Sequence, residues 1–432
     1  MSDTHAQTVA YVRDSMLPEK PPPIAEKGAI KWLRENLFSG WLNTALTVLS
    51  LLAVWYALMA IGPWLLNTVW NVQSLRECRE VLDGASGACF AVIKDRWHQL
   101  LFGFYPPQHY WRPVLTLVLM FVALAPVLFS QVPRKMLGFS ALYPFIAYHL
   151  LWGGSIWLPV SVILGFVLGY VAYRLLARFA PLIAIAGAIL VPVIWWIMFA
   201  AGFTSAMTSV APIGLDFIRS DRFGGFLISL VIGVSGISLS LPIGVLLALG
   251  RQSDMVFVKS VCVMVIEFIR GVPLITLLFT ASLLLNYFLP PGTAFDLILR
   301  VIIMVTLFAS AYMAEVIRGG LAALPKGQYE AADALGLDYW KAQRLIIMPQ
   351  ALKISIPGIV NTFIGLFKDT TLVVFIGLLD PIGLSNAIRA DTDWNGIYWE
   401  LFIFIGALFF IFCFGMSRYS MYLERKLKTD HK

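Results

Sequence analysis

Long runs of apolar residues separated by short polar turns dominate the chain. A helix that crosses a membrane needs about 20 mostly apolar residues. By that measure the runs are Trp41 to Leu66, Pro113 to Ser130, Gly138 to Tyr173, Pro181 to Ala201, Phe226 to Gly250, Val261 to Leu289, Leu297 to Ala314, Ile354 to Leu379 and Ile397 to Met416. The Gly138 to Tyr173 run is too long for one crossing. It predicts two helices with a turn at Gly153-Gly154-Ser155 or at Pro159. The pattern therefore predicts an all-α polytopic membrane protein with about ten transmembrane helices and both ends on one side.

Composition agrees. The 432 residues are 59% hydrophobic and 13% charged, against about 25% charged in soluble domains. That excludes a water-soluble enzyme, and it excludes a disordered chain, which needs low hydrophobicity. With the N-terminus inside, 21 Lys and Arg fall on the cytoplasmic side and 8 outside, so the positive-inside rule places both termini in the cytoplasm. The net charge of +7 is then a topology signal, with no nucleic-acid footprint. Residues 1–40 are polar, with prolines at Pro18 and Pro21 to Pro23, and too long for a signal-peptide n-region. They read as a cytoplasmic segment, followed by a five-helix membrane extension (41–222) carrying an exterior loop (67–112). Residues 226–425 form a second membrane block, and 418–432 a basic cytoplasmic tail.

The Gly319 to Lys353 stretch is a 35-residue cytoplasmic loop, too long to be structureless in a compact protein. Gln328 to Leu335 predicts a helix that Gly336 stops as a left-handed cap. Asp338 then N-caps a second helix, Tyr339 to Ile347, which Pro349 terminates. Ala331, Ala332 and Ala334 keep the first helix slim, so that another surface can approach it, and Glu330 and Asp333 share a face. An amphipathic helix resting on lipid headgroups is the alternative.

Charges inside apolar runs cost about 2.5–3.5 kcal/mol each at the bilayer centre. Glu267 with Arg270, and Glu315 with Arg318, are spaced for local ion pairs, either structural or lining an inner gate. Lys368 and Asp369 lie deep in their run, where Asn361, Gly365 and Asp369 share one face at i, i+4 and i+8 with Thr362 and Lys368 alongside, and Thr370 and Thr371 follow as further pathway candidates. They make a polar stripe toward a pathway, or a structural network with Arg300 or Glu400. Cys78 and Cys89 share the exterior loop, as a disulfide or as two free thiols. The five histidines are scattered without metal-ligand spacing, and no metal site or catalytic constellation is expected.

Glu330-Ala331-Ala332, three residues, Gly336, nine residues, Ile346, one residue and Met348-Pro349 resembles the EAA loop of bacterial ABC importer permeases, with Met348 in place of the family's Leu. In that family the loop is the coupling helix that docks on the ATP-binding subunit. Glu267-Phe268-Ile269-Arg270-Gly271-Val272-Pro273, Ala314-Glu315-Val316-Ile317-Arg318-Gly319-Gly320-Leu321, Pro325-Lys326-Gly327-Gln328 and Lys368-Asp369-Thr370-Thr371-Leu372 are similar to polar amino-acid permeases. The layout of the N-terminal extension looks like the larger permease subunits of general L-amino-acid importers.

The resemblance implies that 226–425 is a five-helix type I ABC importer permease core in the bacterial inner membrane, moving amino acids. No G-x-x-x-x-G-K-[ST] phosphate loop is present, so no cofactor is expected in this chain. ATP and Mg would bind a partner ATP-binding subunit dimer. A periplasmic amino-acid-binding protein and a second permease, forming a heterodimer, are the other implied partners. The alternative function is an ion-coupled secondary transporter with charged midplane residues and no ATPase.

Overall fold

The computed structural model describes residues 28–284, 287 and 296–427. The predicted segment 1–27, most of 285–289 at the end of one apolar run, and the tail 428–432 lie outside the described residues. The helices are α1 (Gly28–Asn36), α2 (Trp41–Leu66), α3 (Leu75–Leu82), α4 (Ala91–Phe102), α5 (Trp111–Leu128), α6 (Leu137–Trp152), α7 (Trp157–Leu176), α8 (Pro181–Ile194) and α9 (Ala200–Val210). They continue with α10 (Gly225–Gln252), α11 (Val256–Gly271), α12 (Leu274–Phe279), α13 (Leu297–Ala322), α14 (Lys326–Ala334), α15 (Tyr339–Ala342), α16 (Met348–Asp369), α17 (Pro381–Arg389) and α18 (Trp399–Leu427). Among the described residues eight helical stretches are long and apolar enough to cross a membrane, or nine if one bent pair is a single span. The predicted crossing within Leu137–Trp152 corresponds to α6, whose 16 residues leave it outside those eight or nine stretches.

The chain divides into two compact units. In the smaller, residues 28–69 with 79–88, α2 buries none of its residues. Its end is tied by the Ala88 N–H donating to the Trp64 carbonyl (2.8 Å) and the Val69 N–H to the Ala88 carbonyl (2.9 Å). The larger unit takes residues 70–78 and 89–427. It includes both sides of residues 222–226. α4 lies against the start of α10, because Gly225, at φ +59, passes so close to the Leu100 carbonyl that any Cβ would collide. Phe223 then stacks on Trp152 at 4.5 Å and meets Tyr105 edge-on. One buried cluster thus unites Tyr105 and Leu151 of the extension with Ile228, Val301 and Leu366 of the later helices.

The turn within the Gly138 to Tyr173 run falls at Gly153 and Gly154, both at positive φ. β1 (Gly154–Ser155) there pairs antiparallel with β2 (Gly214–Leu215), while Pro159 is buried inside α7. The Val261 to Leu289 run is bent where the sequence suggests one straight helix. α11 and the helical stretch Leu274–Leu284 meet at 104°. Pro273 cannot continue a helix and pushes Val272 to extended backbone (φ −105, ψ 132).

Candidate coupling and translocation sites

The elbow that precedes α16 is shorter than its sequence suggested, because α13 runs on to Ala322 and absorbs the start of the predicted loop. α14 ends in a Schellman cap: the Leu337 N–H donates to the Ala332 carbonyl, the Gly336 N–H donates to the Asp333 carbonyl, and Gly336 takes φ +68. The Asp338 carboxylate accepts from the Lys341 N–H at 3.0 Å, capping α15. The Lys341 ammonium 2.9 Å away holds that carboxyl below its ordinary range. Glu330, Ala331, Asp333, Leu335 and Gly336 are exposed. Ala332 is not on that face: it is 1% exposed and turned into its own chain. Ile346 is half-buried, and Ile347 and Leu324 are buried in the cluster formed by α10, α11, α13 and α16.

Pro349 does not end the second helix. The helix is continuous over Tyr339–Ile376, because Gln343–Ile347 is wound as a π turn. The wider turn meets the missing Pro349 donor with a shifted bonding register, and Pro349 opens the first turn of α16. α13 and α16 pack at contact distance here, since a Cβ on Gly320 would meet the Ala351 carbonyl.

Glu267, Arg270, Glu315 and Arg318 do not form two separate pairs. The within-helix pairs exist, Arg270 to Glu267 at 3.7 Å and Arg318 to Glu315 at 3.0 Å. Arg270 also lies 3.8 Å from Glu315, and Arg251 reaches Glu267 at 2.7 Å and Glu315 at 2.8 Å. Five charges from α10, α11 and α13 make one network. Sequence reasoning missed Arg251, treating it as a boundary marker; the available signal was its place at the end of an apolar run, where a long cation can reach back over a neighbouring helix.

Lys368 and Asp369 close α16, which continues as a 3-10 turn over Thr370–Ile376. Lys368 and Asn361 are exposed, and Gly365, Asp369 and Thr371 are half-buried. Among the described residues neither Lys368 nor Asp369 makes an ion pair. The suggested structural partners are engaged elsewhere: Arg300 donates to the Ser282 carbonyl (2.6 Å) and Glu400 accepts from the Cys89 N–H (2.9 Å). Thr370 leaves the candidate stripe, being fully buried against Gly233 with its hydroxyl donating to the Phe367 carbonyl. The Thr371 hydroxyl donates to the Lys368 carbonyl.

Within the larger unit, Cys78 and Cys89 form a disulfide. The segments on both sides of it are fastened to the loop between α17 and α18. The Leu75 N–H donates to the Asp393 carbonyl (2.8 Å), the buried Trp394 indole to Asp95 (2.9 Å), and Arg96 to Asp391 (3.0 Å).

Residues 240–429 match the family described as binding-protein-dependent transport system inner membrane component. The glutamate/glutamine/aspartate/asparagine transport system permease protein BztC of Rhodobacter capsulatus is 61% identical over 439 residues, covering 100% of both chains. The chain belongs to the binding-protein-dependent amino-acid ABC permeases. The inner membrane amino-acid ABC transporter permease protein YhdY of Escherichia coli K12 is 37% identical, over 95% of this permease and 96% of that relative. A solved amino acid ABC transporter with histidines matches 46% of this permease and 91% of that chain, at 31% identity and a TM-score of 0.42. Membership makes the chain a multi-pass inner-membrane transport subunit that works with ATP-binding and substrate-binding partners, and it sets aside the ion-coupled alternative.

Proposed function

We propose that this permease moves glutamate, aspartate and their amides inward as one half of a heterodimeric pathway. The observation that carries the reading is the face of α16 bearing Asn361, Gly365 and Lys368 at i, i+4 and i+7, with Lys368 exposed and in no ion pair among the described residues. An exposed cation with the Asn361 amide on the same helix face is the complement of a carboxylate. The name of BztC, similar over its whole length, supports the same substrate class. Asp369 serves the ammonium, and Thr371 fixes the end of the helix.

In the proposed cycle both termini are cytoplasmic, and ATP with Mg binds in the partner ATPase dimer. Docking of a loaded binding protein and closure of the ATPases push on the exposed Glu330, Ala331 and Asp333 face. The buried Ile347 and Leu324 pass that motion to the helix cluster beneath, where the Arg251 network rearranges as the inner gate opens. Uptake of labelled glutamate, glutamine, aspartate and asparagine, each challenged with a tenfold excess of unlabelled competitors, tests the reading. Mutual competition among the four is expected; uptake confined to basic or aliphatic amino acids would overturn it.

A further inference from the structure

A cavity of about 500 Å³ lies between α6 and α7, away from the elbow, the charge network and α16. Leu142 and Phe145 line one wall and Phe166, Val167 and Tyr170 the other, with Phe145 and Phe166 edge to face. Phe166 and Tyr170 are 55% and 63% exposed, so no described part of this chain covers the slot.

The slot ends in cations. Ile163, Phe166, Val167, Tyr170 and Arg174 follow i, i+3, i+4, i+7 and i+11 along α7, so the guanidinium of Arg174 prolongs the lining one turn past Tyr170. The tight Gly153-Gly154 connection makes α6 an antiparallel neighbour, which brings the turn before α6, with Arg134 and Lys135, to the same end. Residues 129–136 and 174–181 contain no Asp or Glu. Arg134, Lys135 and Arg174 have no ion pair among the described residues. Lys426 of α18 donates to Ser130 at 2.8 Å, adding a further ammonium to that turn. α6 itself spans only about 24 Å, against a hydrocarbon layer of about 30 Å. Its basic end is therefore drawn to the depth of lipid phosphates.

We propose that this cleft is an anionic-phospholipid site, with an acyl chain in the apolar slot and the phosphate held by Arg134, Lys135 and Arg174. An apolar slot closed by unpaired cations suits a lipid that carries net negative charge at its head, and the attraction of cations near the surface sets the selectivity. This inference is independent of which amino acid is transported.

The test uses the assembled importer, delipidated in mild detergent and offered phosphatidylglycerol, cardiolipin or phosphatidylethanolamine, with retained lipid counted by native mass spectrometry. Wild type should retain the two anionic lipids over phosphatidylethanolamine. Arg134→Gln, Lys135→Gln and Arg174→Gln together should weaken that retention by about fivefold for each cation removed, with phosphatidylethanolamine unchanged. Ala141→Trp, which fills the slot without altering charge, should lower retention as well, and Lys259→Gln on α11 should leave it intact. Equal retention of all three lipids by wild type overturns the proposal. So does undiminished phosphatidylglycerol on the triple variant, or an equal loss with Lys259→Gln. If the triple variant fails to assemble, the wild-type preference and Arg174→Gln alone decide.

Discussion

The Arg251 guanidinium stands 2.7 Å from Glu267 and 2.8 Å from Glu315, so a single side chain ties α10, α11 and α13 together. Glu315 is the hub, with Arg251, Arg270 and Arg318 all within 4 Å and only 16% of its own side chain exposed. Glu315→Gln would leave three guanidinium groups facing Glu267 alone. Because Arg270 and Arg318 are a third or more exposed, the loss is discounted from buried-pair values to about 1–3 kcal/mol. Thermal unfolding of the purified complex should show Glu315→Gln lowering stability more than Glu267→Gln, whose carboxylate is half exposed. Equal shifts would remove Glu315 from the centre of the network.

At the elbow, Glu330→Ala should leave the permease folded and the ATPase assembled, while ATP hydrolysis stimulated by loaded binding protein and amino-acid uptake fall together. Glu330 is exposed and accepts no hydrogen bond among the described residues, so its removal costs the fold little. Ile347→Ala acts differently. It empties a fully buried site in the helix cluster, costing about 2–5 kcal/mol, and expression should drop before coupling does.

Lys368→Met keeps the length of the side chain and removes its charge. Uptake of glutamate and aspartate should fall further than uptake of glutamine and asparagine, since the dicarboxylates offer a second anionic group to the cation. Uniform loss across the four would reassign Lys368 to helix packing.

The Cys78–Cys89 disulfide closes a loop of sequence separation 11, which should contribute about 2–3 kcal/mol in the chain-entropy account. Maleimide should label Cys78 and Cys89 only after reduction, and Cys78→Ser with Cys89→Ser should expose the loop between α17 and α18 to protease through loss of the contacts at Asp391, Asp393 and Trp394.

Asp380 caps α17 by accepting from the Gly383 N–H at 2.9 Å, and its Oδ2 has no partner among the described residues. Burial pushes this carboxyl up to about 6, against the opposing pull of the Gly383 and Ile382 N–H groups. A carboxyl raised in the folded state binds its proton more tightly there, so its stabilising contribution is full below about 4 and is lost as pH rises through about 6. Asp380→Asn keeps the cap acceptor and should flatten the stability profile across that window, as read by melting temperature at a series of pH values.

The membrane spans were legible because apolar runs of spanning length leave few alternatives, and the elbow because Gly336 and Asp338 carry local signals that do not depend on tertiary context. Pro349 misled because a proline's missing donor has two outcomes. It ends a helix or is accommodated by a π turn, and what decides is the packing of Ile347 and Ala351 against α13 residues such as Ile317 and Leu321, which are distant in sequence. Pro273 did break its run, at an angle no periodicity reveals. Arg251 and Thr370 were misjudged for a common reason: their roles depend on which helices cross beside them, at Glu315 and at Gly233.

The unbroken winding of Tyr339 through Ile376 has a mechanical consequence. Its 38 residues make a rod of roughly 57 Å, with the ATPase-facing elbow at one end and Lys368 near the other. A rod without a hinge transmits a push as tilt or axial slide, so the cation at the pathway travels with the elbow and needs no relay of contacts. The π turn holds one surplus residue in that rod. Moving it along the helix by a turn would rotate only the residues it passes, by about 100°, so the elbow end can re-aim its face while Lys368 beyond it keeps its own direction.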